Sequence, residues 1–340
     1  MNRFMRSIFL ITASFSILLS GCSPNINAYI QETITNNVQA SANNSSDYNI
    51  DLSEQWAITH TKSNLAWRAL KQKKQVKVAV VDTGVDYNHP DLKNRVLKDL
   101  GYNFLNNSKD TMDDNWHGTH VAGIIAADAV NNIGVTGVVG DYDVKIIPIK
   151  VLNSKGEGSS DIMAMGIKYA ADAEADIINF SVGFDVKDPY ISNAIRYARS
   201  KSVFVVVSAG NNGINCDVSS PAGDEGAYTV TSVNSADEKS TFSNFGYSVK
   251  IAAPGEAILS TIPGGSYDYR NGTSMAAPVV AGVAAMMKAV NPNLTSEQME
   301  DILNKTAVDV MEKGKDDSTG YGVVNAKAAV DMAESFKTGK

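Results

Sequence analysis

Six runs of apolar, largely β-branched residues constrain this fold more than any other feature: Val76–Val81, Val144–Leu152, Ile177–Val182, Val203–Val207, Tyr228–Val233 and Val249–Ala252. They are near-continuous, not alternating, as strands are when a parallel sheet is covered on both faces. Helical patterns separate them at Gly118–Ala129, Asp161–Ala173 and Pro189–Ser200. Others follow at Ser274–Val290, Ser296–Lys305 and Asn325–Ser335, with Thr295-Ser296-Glu297-Gln298 after Pro292 reading as a helix start. Strand and helix repeated in this way predict a three-layer α/β domain: a mostly parallel central sheet flanked by helices. Ligands of such sheets bind at the carboxyl ends of the strands. Asp82, Ser181-Val182-Gly183 and Ser208-Ala209-Gly210-Asn211 stand at three of those ends, which points to one shared site.

Composition narrows the function. Of 340 residues, 44% are hydrophobic and 20% charged, enough for a core without disulfides. The net charge is −7, which argues against nucleic acid as a partner, because phosphate binding needs clustered Lys and Arg. Cys22 and Cys216 cannot make a disulfide framework, and Cys216 reads as a small packed residue.

The amino terminus has the form of a targeting signal. Arg3 and Arg6 precede an apolar run from Ser7 to Leu19, too short to span a bilayer and suited to a signal-peptide core. Leu19-Ser20-Gly21-Cys22 follows and resembles a bacterial lipobox, in which cleavage leaves the cysteine first and lipid is attached to its sulfur. The expected organisation is therefore a signal peptide over 1–21, a lipidated Cys22 with an Asn/Ser-rich flexible tether over 22–51, and a catalytic domain over 52–340. The expected location is the extracytoplasmic face of the cell membrane, held by the lipid anchor or released as a secreted form.

Four segments carry the chemistry: Val81-Asp82-Thr83-Gly84, His117-Gly118-Thr119-His120-Val121-Ala122-Gly123, Ser208-Ala209-Gly210-Asn211-Asn212 and Gly272-Thr273-Ser274-Met275-Ala276-Ala277-Pro278. Together, and in this order, they resemble the subtilisin-like serine peptidases, the subtilase family, over roughly Gln55 to Ala333. Taken singly, Asp82 is compatible with a turn, Ser274 with a helix cap and Asn211 with turn chemistry; jointly those readings require four coincidences. The resemblance implies a serine endopeptidase in which Ser274 is nucleophile, His117 general base and Asp82 its orienting carboxylate. Asn211 would donate to the oxyanion beside the Ser274 backbone N–H, at the positive end of an apolar helix. His60, His89 and His120 are then structural.

The resemblance further implies a peptide substrate bound as an added strand between Gly156–Ser159, with Gly156 and Gly158, and Ser181-Val182-Gly183. The side-chain pocket would be walled by Ser181, Val182, Gly183, Ala209 and Gly210, with Phe184 at its rim or in the core. Asp113 and Asp114 would favour a basic residue before the scissile position, or form a solvated acidic loop. One structural Ca²⁺ is expected on Gln55, Asp91, Val130, Asn132 and Val135; Asp91 is equally compatible with a helix cap. At a second, weaker cation position Lys250 would stand in for the ion. No organic cofactor is expected, and the chain is expected to act as a monomer. Roughly 30 residues between Cys22 and Gln55 are too few for a folded prodomain. The alternatives are a dedicated leader-peptide processing peptidase and an inactive peptide-binding lipoprotein.

Overall fold

The computed structural model describes residues 52–67 and 72–336. The signal segment, Cys22 and the tether lie outside the described residues. Seven strands form one parallel sheet: β1 Val76–Asp82, β2 Tyr102–Asn103, β3 Val144–Lys150, β4 Ile177–Phe180, β5 Phe204–Ser208, β6 Ala227–Val233 and β7 Val249–Pro254, in the order β2-β3-β1-β4-β5-β6-β7. A separate antiparallel hairpin pairs β8 Ile258–Ile262 with β9 Ser266–Arg270. The helices are α1 His117–Ala126, α2 Ser160–Asp172, α3 Pro189–Ser200, α4 Thr273–Val290, α5 Ser296–Thr306 and α6 Ala326–Ser335, with helical turns at Trp56–His60 and Ser63–Ala66.

The strand pleat sorts the core into two layers. Val76, Val78 and Val80 of β1 face a core shared with α1, α4, α5 and α6. Ala79 and Val81 of the same strand face the opposite core, shared with α2 and α3. Both faces of β1 are therefore covered, which is why its sequence shows no polar alternation. The helix α4 is long and apolar enough to cross a membrane, yet all of it except Lys288 is buried against the sheet.

The sequence-derived strands and long helices agree with the structure, with ends displaced by a few residues. The helix expected to reach Ala129 stops at Ala126, because the chain turns at Ala127–Asp128 into the 130–135 loop. Gly156–Ser159 forms no strand: Gly156 N–H donates to Asn153 O at 2.9 Å and Asn153 N–H to Glu157 O at 2.9 Å, closing a turn. An extended segment needs a partner strand to satisfy its backbone, and this one has none on its outer side. The β8–β9 hairpin was not read from the sequence. It is tied to α1 by Ser260 Oγ donating to His120 O (2.7 Å) and Thr261 Oγ1 donating to Thr119 O (2.8 Å).

Topology fixes where the site lies. From β1 the chain builds β2 and β3 on one side and then β4 through β7 on the other. The reversal falls at β1–β4, and the carboxyl ends of these strands are where doubly wound sheets form crevices.

Candidate active site

Asp82 ends β1, and His117 opens α1 on the face above it. His117 Nδ1 lies 2.8 and 2.9 Å from the two Asp82 carboxylate oxygens. Asp82 is fully buried, whereas the His117 ring keeps 19% of its surface exposed, which leaves its other nitrogen free to meet a reactant. Burial alone would lower the His117 pKa; Asp82, with a smaller part from Asp113, outweighs it and holds the imidazole above its ordinary range. The close approach of helix to strand requires glycine: a Cβ on Gly118 would collide with the Gly84 carbonyl oxygen and lie 3.1 Å from the Asp82 Cβ.

Ser274 sits in the first turn of α4, where backbone N–H groups have no helical acceptor. Its Oγ donates to Ser181 O at 3.2 Å, and Ser181 Oγ donates back to Ser274 O at 3.4 Å. That Ser274 carbonyl is free for Ser181 because Pro278, four residues on, has no N–H to bond it. Among the described residues no hydrogen bond joins Ser274 to His117; such bonds commonly tighten only with substrate in place.

Asn211 follows β5 and is held by its oxygen, which accepts from Thr273 N and Thr273 Oγ1, each at 2.9 Å. The amide nitrogen is thereby aimed away from Thr273. A Cβ on Gly272, whose φ is +154°, would lie 3.6 Å from both Asn211 Nδ2 and Ser274 N. The two nitrogens therefore lie on either side of the same small region beside Gly272, whose φ disfavours any residue with a side chain.

Beside Ser274 lies a cavity of about 200 Å³ lined by Ser181, Gly183, Phe184, Ala209, Gly210 and Asn211, with a polar floor from Ser208, Ser219, Ser220 and Asn244. Val182, expected in its wall, does not line it and packs against the core under α2 and α3. Phe184 does both, lining the cavity and packing on that core. Gly156 lies in a bend and Gly158 in an irregular segment, and among the described residues no strand pairing joins them to Ser181–Gly183.

The acidic loop before His117 departs from expectation. Asp113 is 4% exposed and its carboxylate is occupied by Thr83, Asn115 and Thr119. It cannot face a basic substrate residue. Asp114 is bound to the ammonium of Lys150 at 2.6 Å. Four polar donors, one in the loop, one just after β1 and two in the first turn of α1, replace solvent around Asp113 once the loop folds back on β1.

Asp91, expected at a metal, is fully buried and accepts from Val135 N (2.9 Å), Asn131 Nδ2 (2.5 Å) and the Tyr267 hydroxyl. Burial pushes its pKa up against these neutral donors, and among the described residues no Lys or Arg pairs with it. Gln55 spends its amide on Thr136, donating to O (2.8 Å) and accepting from N (3.0 Å). Asn131, not Asn132, hydrogen-bonds Asp91; Asn132 has a left-handed backbone with φ +59°, and Val130 is exposed. Among the described residues no three His, Cys, Asp or Glu side chains assemble into a cluster. A buried carboxylate whose hydrogen-bond partners are neutral, beside amide and carbonyl oxygens, fits a hard cation, and Asn131 is the side chain of this loop that meets it. Lys250 pairs with Glu300 of α5 at 2.8 Å.

The remaining histidines are structural in their contacts. His60 meets Asp237 (2.7 Å), His89 meets Ser266 O (3.0 Å), and His120 meets Asp268 O (3.0 Å) with its pKa lowered by burial to about 4. Residues that sequence reasoning missed are Lys150 and Tyr267, which carry no motif, and Thr83, which lies inside the Asp82 motif but was given no role there.

The model of the subtilase family matches residues 73–322. The thermophilic serine proteinase of Bacillus sp. (strain AK1) is 40% identical over 276 residues, 81% of this chain and 67% of that protein. The cell wall-associated protease of Bacillus subtilis (strain 168) is 40% identical over 280 residues, 76% of this chain and 31% of the longer relative. Subtilisin Savinase of Lederbergia lenta is 37% identical over 81% of this chain and 97% of its own length. Among solved structures, a protease of Pseudoalteromonas arctica PAMC 21717 superposes with a TM-score of 0.72 at 33% identity, covering 79% of this chain and 93% of that one. With the sheet order, the Asp–His pair and the serine-bearing helix already in place, these likenesses establish that the chain belongs to the subtilase family and is a serine-type endopeptidase.

Proposed function

We propose that the chain is an extracytoplasmic subtilisin-like endopeptidase acting through Asp82, His117 and Ser274. The observation that carries this is the His117–Asp82 contact at 2.8 and 2.9 Å, on the same crevice as a serine at a helix amino terminus. In this reading neutral His117 takes the Ser274 proton through its exposed nitrogen while Ser274 Oγ leaves Ser181 O and attacks the peptide carbonyl. Asp82 holds the tautomer and stabilises the imidazolium. The oxyanion forms between Asn211 Nδ2 and Ser274 N, and the imidazolium then protonates the leaving amine. Water, activated in turn by His117, hydrolyses the acyl-enzyme.

The substrate backbone pairs with Ser181–Gly183 on one side and the 156–159 segment on the other, which becomes a strand when its partner arrives. The side chain before the scissile bond enters the cavity beside Ser274, whose polar floor accepts small or polar groups alongside apolar ones. Asp91 with Asn131 and the 130–135 carbonyls holds a structural Ca²⁺ that neutralises the buried carboxylate. Cys22, lipidated after removal of residues 1–21, anchors a monomeric 52–340 domain to the outer membrane face through the tether, where the substrate is protein or peptide. Ser274→Ala should lose labelling by a serine-reactive fluorophosphonate and nearly all peptidase turnover while folding normally. Retained turnover in that variant overturns the reading.

A further inference from the structure

Asp113 is tied at both oxygens. Oδ1 accepts from Thr83 Oγ1 (2.9 Å) and Asn115 N (2.9 Å); Oδ2 accepts from Thr119 N (3.0 Å) and Thr119 Oγ1 (2.6 Å). Thr83 Oγ1 itself accepts the N–H of Gly118 (2.9 Å), and Thr119 Oγ1 accepts the N–H of Asp86 (2.9 Å). Each hydroxyl therefore has its one proton left for Asp113. Burial pushes the Asp113 pKa up, and the four donors oppose that shift by favouring the ionised form. These donors belong to the two backbone pieces that carry the reactive pair. Thr83 follows Asp82, and Gly118 and Thr119 form the first turn of the helix that His117 opens. Asn115, whose N–H binds Asp113, accepts His117 N at 3.2 Å.

We propose that Asp113 is a positioning residue of this active site: its buried carboxylate locks the end of β1 to the first turn of α1, holds His117 against Asp82, and places a second negative charge behind the imidazole. The proposal rests on the triad reading above. Asp113 makes no hydrogen bond to His117, so its two contributions, geometry and field, both act at a distance. The other titratable or charged groups around His117 are Asp82 on β1, His120 on α1, the Lys150–Asp114 pair at the end of β3, and Arg270 on β9, which stacks 4.4 Å over Trp116 beside His117. Asp113 differs from all of these in being a buried anion off the imidazole. Removing its charge leaves every direct contact of the ring in place, and the field it exerts raises the His117 pKa.

The experiment is the pH profile of kcat/KM for Asp113→Asn, with rates expressed per site titrated by a fluorophosphonate. His117 must be neutral to accept a proton, and losing a nearby anion lowers its pKa, so the active form persists to lower pH. The acid limb should move down by roughly half a unit, and kcat should fall by about 10–100-fold with KM changed by less than about twofold. An acid limb that stays in place, or a wild-type kcat, overturns the proposal and leaves Asp113 a structural residue. Where Asp113→Asn does not accumulate as folded protein, Thr83→Val keeps the charge and removes one tie. It should lower kcat per titrated site with the acid limb unmoved, and a wild-type kcat there is the overturning result. Failure of the underlying reading looks different, since Ser274→Ala and His117→Ala would then retain turnover.

Discussion

Two aspartates, Asp82 at the end of β1 and Asp91 in the segment that follows, are each fully buried, yet their surroundings differ in kind. Asp82 meets an imidazole that can become a cation, at 2.8 Å. The Asp91 carboxylate accepts from an amide, a backbone N–H and a phenol, none of which can carry positive charge; burial drives its pKa upward, and His89, bonded through the Asp91 backbone N–H, opposes this only as the smallest effect. A buried carboxylate costs several kcal/mol unless compensated. In the proposed reading the first site takes its compensation from an imidazolium formed within the chain, and the second from a cation bound from solution. On that reading the same residue type at the same burial serves turnover in one region and stability in the other.

The largest expected effect breaks the first half of this comparison. Asp82→Asn should preserve the fold and lower kcat by about 10⁴-fold, the established magnitude for losing the orienting carboxylate of a serine triad. Steady-state kinetics per titrated site measures it, and a loss under tenfold would mean that His117 is oriented by something else. Asn211→Leu should follow at about 10²–10³-fold in kcat, the magnitude known for the equivalent donor in subtilisins. A rise in KM with kcat unchanged would instead place Asn211 in ground-state binding.

The next effect tests the second half. Added Ca²⁺ should raise the melting temperature of chelator-treated protein, because a ligand bound only to the native state stabilises by mass action, about 2.7 kcal/mol at a hundredfold excess over Kd. Asp91→Asn should abolish that response. Equal melting temperatures with Ca²⁺ and with chelator in the wild type would show that the neutral donors alone suffice.

His120 sharpens the contrast one helical turn from His117. Its pKa is lowered from 6.5 to about 4, so between those values the unfolded chain binds a proton that the folded chain refuses. Stability is thus full above pH 6.5 and falls as pH drops toward 4, by on the order of 3 kcal/mol if the whole window is crossed. Denaturant melts at pH 7 and pH 4.5 should show a smaller acid loss in His120→Leu than in the wild type; equal losses would assign the acid sensitivity to carboxylates. The smallest effect belongs to Lys250 and Glu300, about one-third exposed, where Lys250→Ala should cost under about 1 kcal/mol.

Much of this was legible in the chain alone. Near-continuous runs such as Val76–Val81 specify buried parallel strands because both faces of each residue pair must be apolar. The four motifs mark the site because the chemistry demands Asp, His, Asn and Ser at strand and helix ends. The need for glycine at Gly118, where a Cβ would collide with the Gly84 carbonyl oxygen, appears only in the structure. The hairpin was hidden because β9, Ser266–Arg270, is polar and half-exposed, and its stability comes from pairing with β8 and from bonds to α1.

What tertiary structure alone decided is the fate of polar side chains whose partners are distant. Asp113 and Asp114 are adjacent and chemically identical, yet one is drawn inward by Thr83, thirty residues away in the chain, and the other outward to Lys150. Asn131 and Asn132 are likewise the same residue type side by side, yet only Asn131 hydrogen-bonds Asp91, while Asn132 takes a left-handed backbone. Periodicity encodes which face is apolar, and motif spacing encodes which chemistry is present. The partner of a buried charge is encoded in neither, because it depends on the three-dimensional arrangement of donors that exists only once the sheet and its helices have closed around it.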